Sequence, residues 1–246
     1  MLDQKKRYGK VSSSGIVALL SVNKKGDDFG VPAKIYIEEK QMEIRLGRSL
    51  DTDSKAKATL WGTFLESFVF SELPLGYSYN SDETITHSEN EFWVGTPDGF
   101  RYDEGKTVMD IKCPYTLKSF CQLVQPLYDG FVGMDAMNKI RETHKDGDKY
   151  YWQLVSNAIL SNSKYAELIV YCPYASEIQS IKSNAEGQPN YYFIWAANDE
   201  DLPYINNDGY YKNLNIIRFE VPETDKQLLT EKVNKATALS RKILKM

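Results

Sequence analysis

Residues 95–114, GTPDGFRYDEGKTVMDIKCP, decide how this chain is read. Pro97-Asp98-Gly99 has the chemistry of a turn. Thr107 to Lys112 reads as a strand, in which alternate side chains share a face. Asp110 and Lys112 then point one way while Ile111 points into the core. If the turn lies beside that strand, two carboxylates and one ammonium converge. Hard oxygen ligands of this kind suit Mg²⁺ or Mn²⁺. A cation held there lowers the pKa of a water and stabilises charge building on phosphate. Each piece alone is common in sequences. Their order and separation together make the case for metal-assisted phosphodiester chemistry.

Working outward, Ser12, Ser13 and Ser14 are cap candidates for a short helix over 15–22. Pro32 can open a second helix over 33–40. A long helix is expected over 54–73, followed by a polar loop over 76–90. Strands are expected over 91–95 and 107–112, and helices over 117–124 and 150–160. In the last of these Tyr151, Leu154, Val155, Ala158 and Ile159 recur at helical spacing. Asp148 or a neighbour is its cap candidate. Further strands are expected over 166–171, 191–196 and 215–221. Pro222 opens a terminal helix with Leu229, Val233, Ala236 and Ile243 on one face. The pattern is α+β, close to α/β, with a central mixed β-sheet flanked by helices. One domain is expected over 1–246.

Three further groups join the candidate site. Glu66 lies in WGTFLE at 61–66, a stretch dominated by large apolar residues. A carboxylate there is either at the rim of the core or committed to a partner, because burying it unpaired is costly. The plain alternative is a solvent-facing glutamate. Tyr150, Gln153 and Asn157 form a polar stripe on their helix. Gln153 can orient a water or bond a phosphate oxygen. Arg7 and Ser14 flank RYGKVSSS at 7–14, where a guanidinium and hydroxyls can grip an anion. Taken alone, that block reads better as plain capping and a solvated basic tail.

The 246 residues include 42% hydrophobic and 26% charged ones, ordinary for a soluble globular protein. No apolar run approaches a membrane span, so no membrane partner is expected. MLDQKKRYGK is not followed by the apolar stretch of a signal peptide. Cys113, Cys121 and Cys172 form no CxxC pair, which argues against a zinc ribbon or a disulfide framework. A reducing cytoplasm is the default expectation. The net charge of −4 argues against a broad, non-specific DNA coat. It leaves room for local basic patches. His87 and His144 lie in polar stretches without metal-ligand spacing. No nucleophile elbow, Walker A or dinucleotide fingerprint is present.

Four blocks occur in an order that resembles the phage lambda exonuclease and YqaJ-like viral recombinase family of the PD-(D/E)XK nuclease superfamily. They are RYGKVSSS at 7–14, WGTFLE at 61–66, TPDG with MDIKCPYTLKSF at 96–120, and YYWQ at 150–153. A strand and Tyr-x-Pro at 171–173 follow. The resemblance spans about residues 7–174, and 175–213 are a candidate insertion. It implies a restriction-endonuclease-like core. It implies that Asp98, Asp110 and the Ile111 carbonyl hold a catalytic Mg²⁺, with Mn²⁺ able to substitute. Glu66 would support metal and scissile phosphate, Lys112 would activate water, and Gln153 would orient water or substrate. Arg7 and Ser14 would grip a 5′-phosphate. The implied activity is 5′→3′ degradation of one strand of linear double-stranded DNA in phage-type recombination. A ring-shaped homotrimer and a single-strand annealing protein are the implied partners. The basic start, Lys5, Lys6, Arg7 and Lys10, would suit a DNA channel.

Two other readings remain at this stage. One is a PD-(D/E)XK endonuclease of restriction or repair. The other is a non-catalytic module that binds DNA ends, which would not need Asp98, Asp110 and Lys112 together. Iron–sulfur relatives are disfavoured, because three scattered cysteines cannot supply four thiolates.

Overall fold

The computed structural model describes residues 7–50, 56–80, 83–103 and 105–244, with residues 243 and 244 as backbone only. Lys5, Lys6, the first two residues of the helix expected over 54–73, and the Ile243 side chain lie outside the described residues. In chain order the elements are β1 (Val11–Ser12), α1 (Val31–Leu46), α2 (Lys57–Glu72), β2 (Tyr77–Tyr79), β3 (Ile85–Thr86), β4 (Trp93–Gly95), β5 (Gly99–Asp103) and β6 (Gly105–Lys112). There follow α3 (Leu117–Tyr128), α4 (Gly133–Thr143), α5 (Gly147–Ser161), β7 (Tyr165–Tyr171), α6 (Ile178–Ala185), α7 (Tyr192–Trp195), β8 (Leu214–Glu220) and α8 (Glu223–Leu244).

The main sheet has the order β2-β5-β6-β7-β8. Only β6 and β7 run parallel; the other neighbours are antiparallel. This is the mixed sheet expected. A small second sheet, β1-β4-β3, carries the N-terminal block. Apolar side chains leave the main sheet on both faces, so it needs cover on both. Val108, Leu168, Val170 and Ile217 pack with α3, α4, α5 and α8. Met109, Ile111, Ile169 and Tyr171 pack with α2, α6 and α7. The alternation along β6 therefore puts Ile111 in one core and sends Asp110 and Lys112 to the α5 side, as the spacing predicts.

The terminal helix buries Leu229, Val233 and Ala236 as expected. The helix over 150–160 is α5, which starts earlier, after Asp146, and ends on Asn162 in the left-handed region at φ 52°. Several local expectations need correction. The segment over 191–196 is not a strand. It forms a short 3₁₀ turn, Pro189–Tyr191, and then α7. Its aromatic run has strand-like composition, but Ile194 is buried three residues after Tyr191, which packs on Phe64 of α2 at 4.7 Å. That is helical spacing, and a short apolar run cannot settle the choice by composition. The 76–90 loop contains β2 and β3. The residues after the Pro-Asp-Gly turn form β5. The helix over 15–22 is only a 3₁₀ segment, Ile16–Leu20. The helices expected over 33–40 and 117–124 run on beyond their predicted ends as α1 and α3, α2 stays within the 54–73 expected for it, and α4 and α6 had no counterpart in the sequence reading.

Candidate active site

β5 and β6 pair antiparallel, with Gly99 opposite Met109. Asp98 therefore lies opposite Asp110, immediately before β5 begins. There the ladder changes partner. Asp98 N–H donates to the Met109 carbonyl at 3.2 Å. The Ile111 N–H then donates to the Asp98 carboxylate at 2.6 Å instead of to a β5 carbonyl. The Pro97 carbonyl that could have taken it accepts from Asn80 Nδ2 at 2.8 Å. The same amide donates to the Glu83 carbonyl at 2.8 Å, and Asn80 N–H donates to the Asp98 carbonyl at 3.1 Å. Asn80 thus clamps the turn that presents Asp98. The polar stretch over 76–90 gave no sequence signal for it beyond the turn propensity of asparagine. Gly99 is required by a close approach, not by its φ. A Cβ there would lie 2.5 Å from the Ser78 carbonyl oxygen.

Asp110 is 1% exposed. Gln153 of α5 donates to its Oδ1 at 2.7 Å. Its Oδ2 forms an ion pair with Lys112. The Lys112 ammonium also lies 5.1 Å from the centre of the Tyr150 ring, one turn before Gln153 on α5. Tyr150 is stacked in turn on His144, whose Nε2 lies 2.8 Å from Ser119 Oγ. Burial pulls the His144 pKa down. Glu66, half-buried on α2, is close enough for its charge to act on Asp98 and Cys113.

The electrostatics of the group are lopsided. Burial pushes the Asp98 carboxyl well above the usual range, and the charges of Asp110 and Glu66 push it the same way. Lys112 and the Ile111 N–H only partly oppose this. Burial pulls Lys112 down, but Asp110 and Asp98 outweigh it, so it is held as an ammonium. Three carboxylates thus face one lysine. A divalent cation would relieve that imbalance.

The donor set fits such a cation. Asp98 and Asp110 supply hard oxygen, and buried Asp110 Oδ2 has no hydrogen-bond partner beyond its ion-pair contact with Lys112. Among the described residues no three His, Cys, Asp or Glu side chains gather closely enough to hold a metal ion by themselves. Mg²⁺ does not demand one, since it commonly keeps several waters and one or two carboxylates.

The N-terminal pair also comes together. Arg7 Nη2 donates to Ser14 Oγ at 3.3 Å, and Ser12 Oγ lies 3.3 Å from Ser14 Oγ. Ser13 points inward between them. Its N–H donates to the Val94 carbonyl at 2.9 Å, and its hydroxyl lies 2.8 Å from Ser156 Oγ on α5. Trp93 Nε1 also donates to Ser156, at 2.9 Å. The block is thereby fastened to β4, which runs directly into Pro97-Asp98, and to α5, which carries Gln153. Asn157, expected in a polar stripe, is instead fully buried, and its amide has no hydrogen-bond partner among the described residues.

A mixed sheet with flanking helices, carrying one carboxylate on a turn and an Asp-x-Lys at the end of the next strand, is the arrangement that the resemblance to PD-(D/E)XK nucleases implied. Known structures with this fold include an alkaline exonuclease from Laribacter hongkongensis. It is 15% identical over 98% of this chain and 92% of that chain, with a TM-score of 0.61. The same protein in complex with dAMP gives 0.59. A phage-related exonuclease from Haemophilus somnus 129PT is 17% identical over 96% of this chain and 95% of that chain, with a TM-score of 0.59. No family model matches the sequence. No curated protein matches it either. At these identities the likeness is one of fold.

Proposed function

We propose that this chain is a Mg²⁺-dependent deoxyribonuclease that digests one strand of linear duplex DNA from its 5′ end, for single-strand-annealing recombination of the phage type. The observation that supports it best is the meeting of Asp98, Asp110, Lys112 and Gln153 where β5 begins beside β6. The exonuclease neighbours of the same fold support it further. Asp98, Asp110 and the Ile111 carbonyl would hold the metal, with Glu66 behind them. Bound there, the cation would supply positive charge to acidify a water and to steady the scissile phosphate.

The other roles belong to side chains. Gln153 fixes the rotamer of Asp110. Lys112, as an ammonium over the Tyr150 ring, donates to and orients the attacking water and the phosphate oxygens. The Arg7–Ser14 pair receives the 5′-phosphate. Its fastening to β4 and α5 sets the terminal phosphate at a fixed reach from the metal ligands. A homotrimeric ring around the duplex and a single-strand annealing partner complete the proposal.

Incubating end-labelled linear duplex and closed circular duplex with the enzyme tests it. Linear DNA should be digested from the 5′ end only with Mg²⁺ or Mn²⁺. Cutting of the circle would favour an endonuclease, and binding without cutting would favour an end-binding module.

A further inference from the structure

We propose that Tyr36 is a further residue of the end-binding site and donates its hydroxyl proton to the terminal phosphate; this rests on the 5′-end reading above. Tyr36 stands on α1, far in sequence from the Arg7–Ser14 block. Its hydroxyl oxygen accepts the Ser12 N–H at 3.0 Å and lies 3.5 Å from Ser12 Oγ. A phenol whose oxygen already accepts a bond has one proton left to give. Ser12 Oγ, at the limit of hydrogen-bond distance, is a poor recipient for it. A phosphate oxygen seated at Ser14 Oγ and Arg7 would be a better one, because charge-assisted bonds are shorter and stronger.

The ring is placed with little freedom. A Cβ on Gly15 would lie 2.8 Å from Tyr36 Cε2 and 2.9 Å from its hydroxyl oxygen. The ring tip therefore reaches the serine turn only because residue 15 has no side chain. Lys40 Nζ lies 5.4 Å from the ring centre, one turn along α1. Another turn on, buried Glu43 accepts the Gly9 N–H at 2.7 Å. One polar stripe of α1, Tyr36, Lys40 and Glu43, thus braces both ends of the segment that carries the phosphate donors.

The test compares initial rates of the full-length enzyme on 5′-phosphoryl and 5′-hydroxyl duplex of one sequence, in Mg²⁺. Tyr36→Phe keeps the ring and removes only the hydroxyl. The ratio of the two rates should fall about ten-fold, the worth of one hydrogen bond to a charged group. If Tyr36→Phe does not accumulate as folded protein, Gly15→Ala decides in the same way, since it keeps every donor but displaces the ring. A ratio equal to wild type overturns the proposal, even if both rates drop together, because that is what a purely structural tyrosine does. Wild-type enzyme without any 5′-phosphate preference would overturn both this proposal and the end-recognition reading. Wild-type preference with an unchanged variant ratio would overturn Tyr36 alone.

Discussion

Asp98 and Glu43 are both carboxylates among backbone donors, and their surroundings push them in opposite directions. Asp98 faces other carboxylates, and burial and repulsion raise its pKa. Glu43 is opposed by burial too, but bonds from Gly9 N–H, Lys40 and Leu50 N–H prevail and lower it. The first arrangement suits a cation and the second a strut. Asp98→Ala or Asp110→Ala should therefore cost about 10³-fold or more in rate, or roughly 4 kcal/mol of barrier. Thermal unfolding should show both variants folded, since relieving repulsion leaves no large cavity. Glu43→Gln should instead destabilise the fold by about 3 kcal/mol near neutral pH, because it leaves Lys40 buried without its partner. The sign follows from linkage. A carboxyl with a depressed folded pKa contributes its stability above the unfolded value, about 4.5, and loses it as pH falls through the folded value. Urea unfolding of wild type and variant should then differ fully at pH 7 and converge below about 4.5. A difference independent of pH would contradict the strut.

At the scale of elements, the site depends on where β5 starts. Gly99→Ala would press a methyl group against the Ser78 carbonyl and should cost about 1–3 kcal/mol by overpacking. Because the strain falls next to Asp98, activity should drop more than the loss of folded protein explains. Rates normalised to the folded fraction check this. Asn80→Ala, which frees the Pro97 carbonyl, should slow turnover about ten-fold through misplacement of Asp98. Unchanged turnover in Asn80→Ala would show that the turn holds without its clamp. The legible parts of the molecule were those with a period. β6 alternates from Met109 to Lys112, and α5 and α8 show long apolar faces. The Asp-x-Lys and Pro-Asp-Gly pair could therefore be placed before any coordinates. β2 and β3 are short and polar, and their pairing partners are set by tertiary contacts, so composition reads them as loop, and β5 is too short to be assigned at all. α7 was mistaken because aromatic residues suit strands and short helices alike. Asn80, Tyr36 and Glu43 act on backbone groups far along the chain, and no local pattern marks such bonds.

For the whole molecule, the net charge of −4 would confine the proposed DNA contacts to local patches. If three copies close a ring around the duplex, one set of basic residues serves three times. Light scattering in moderate salt should then give about three times 28.2 kDa. A monomer that degrades long duplex without dissociating would contradict the ring. End binding should weaken steeply as salt rises, by release of counterions from phosphate. A salt-independent affinity would argue for an apolar interface instead. No helix among the described residues is long and apolar enough to cross a membrane. The most direct test of the central claim is digestion of 5′-phosphorylated linear duplex by wild type and Asp110→Ala, each with Mg²⁺ and with excess EDTA. Strand loss from the 5′ end by wild type in Mg²⁺ alone is the predicted result. Equal digestion in EDTA, or by Asp110→Ala, would contradict the account.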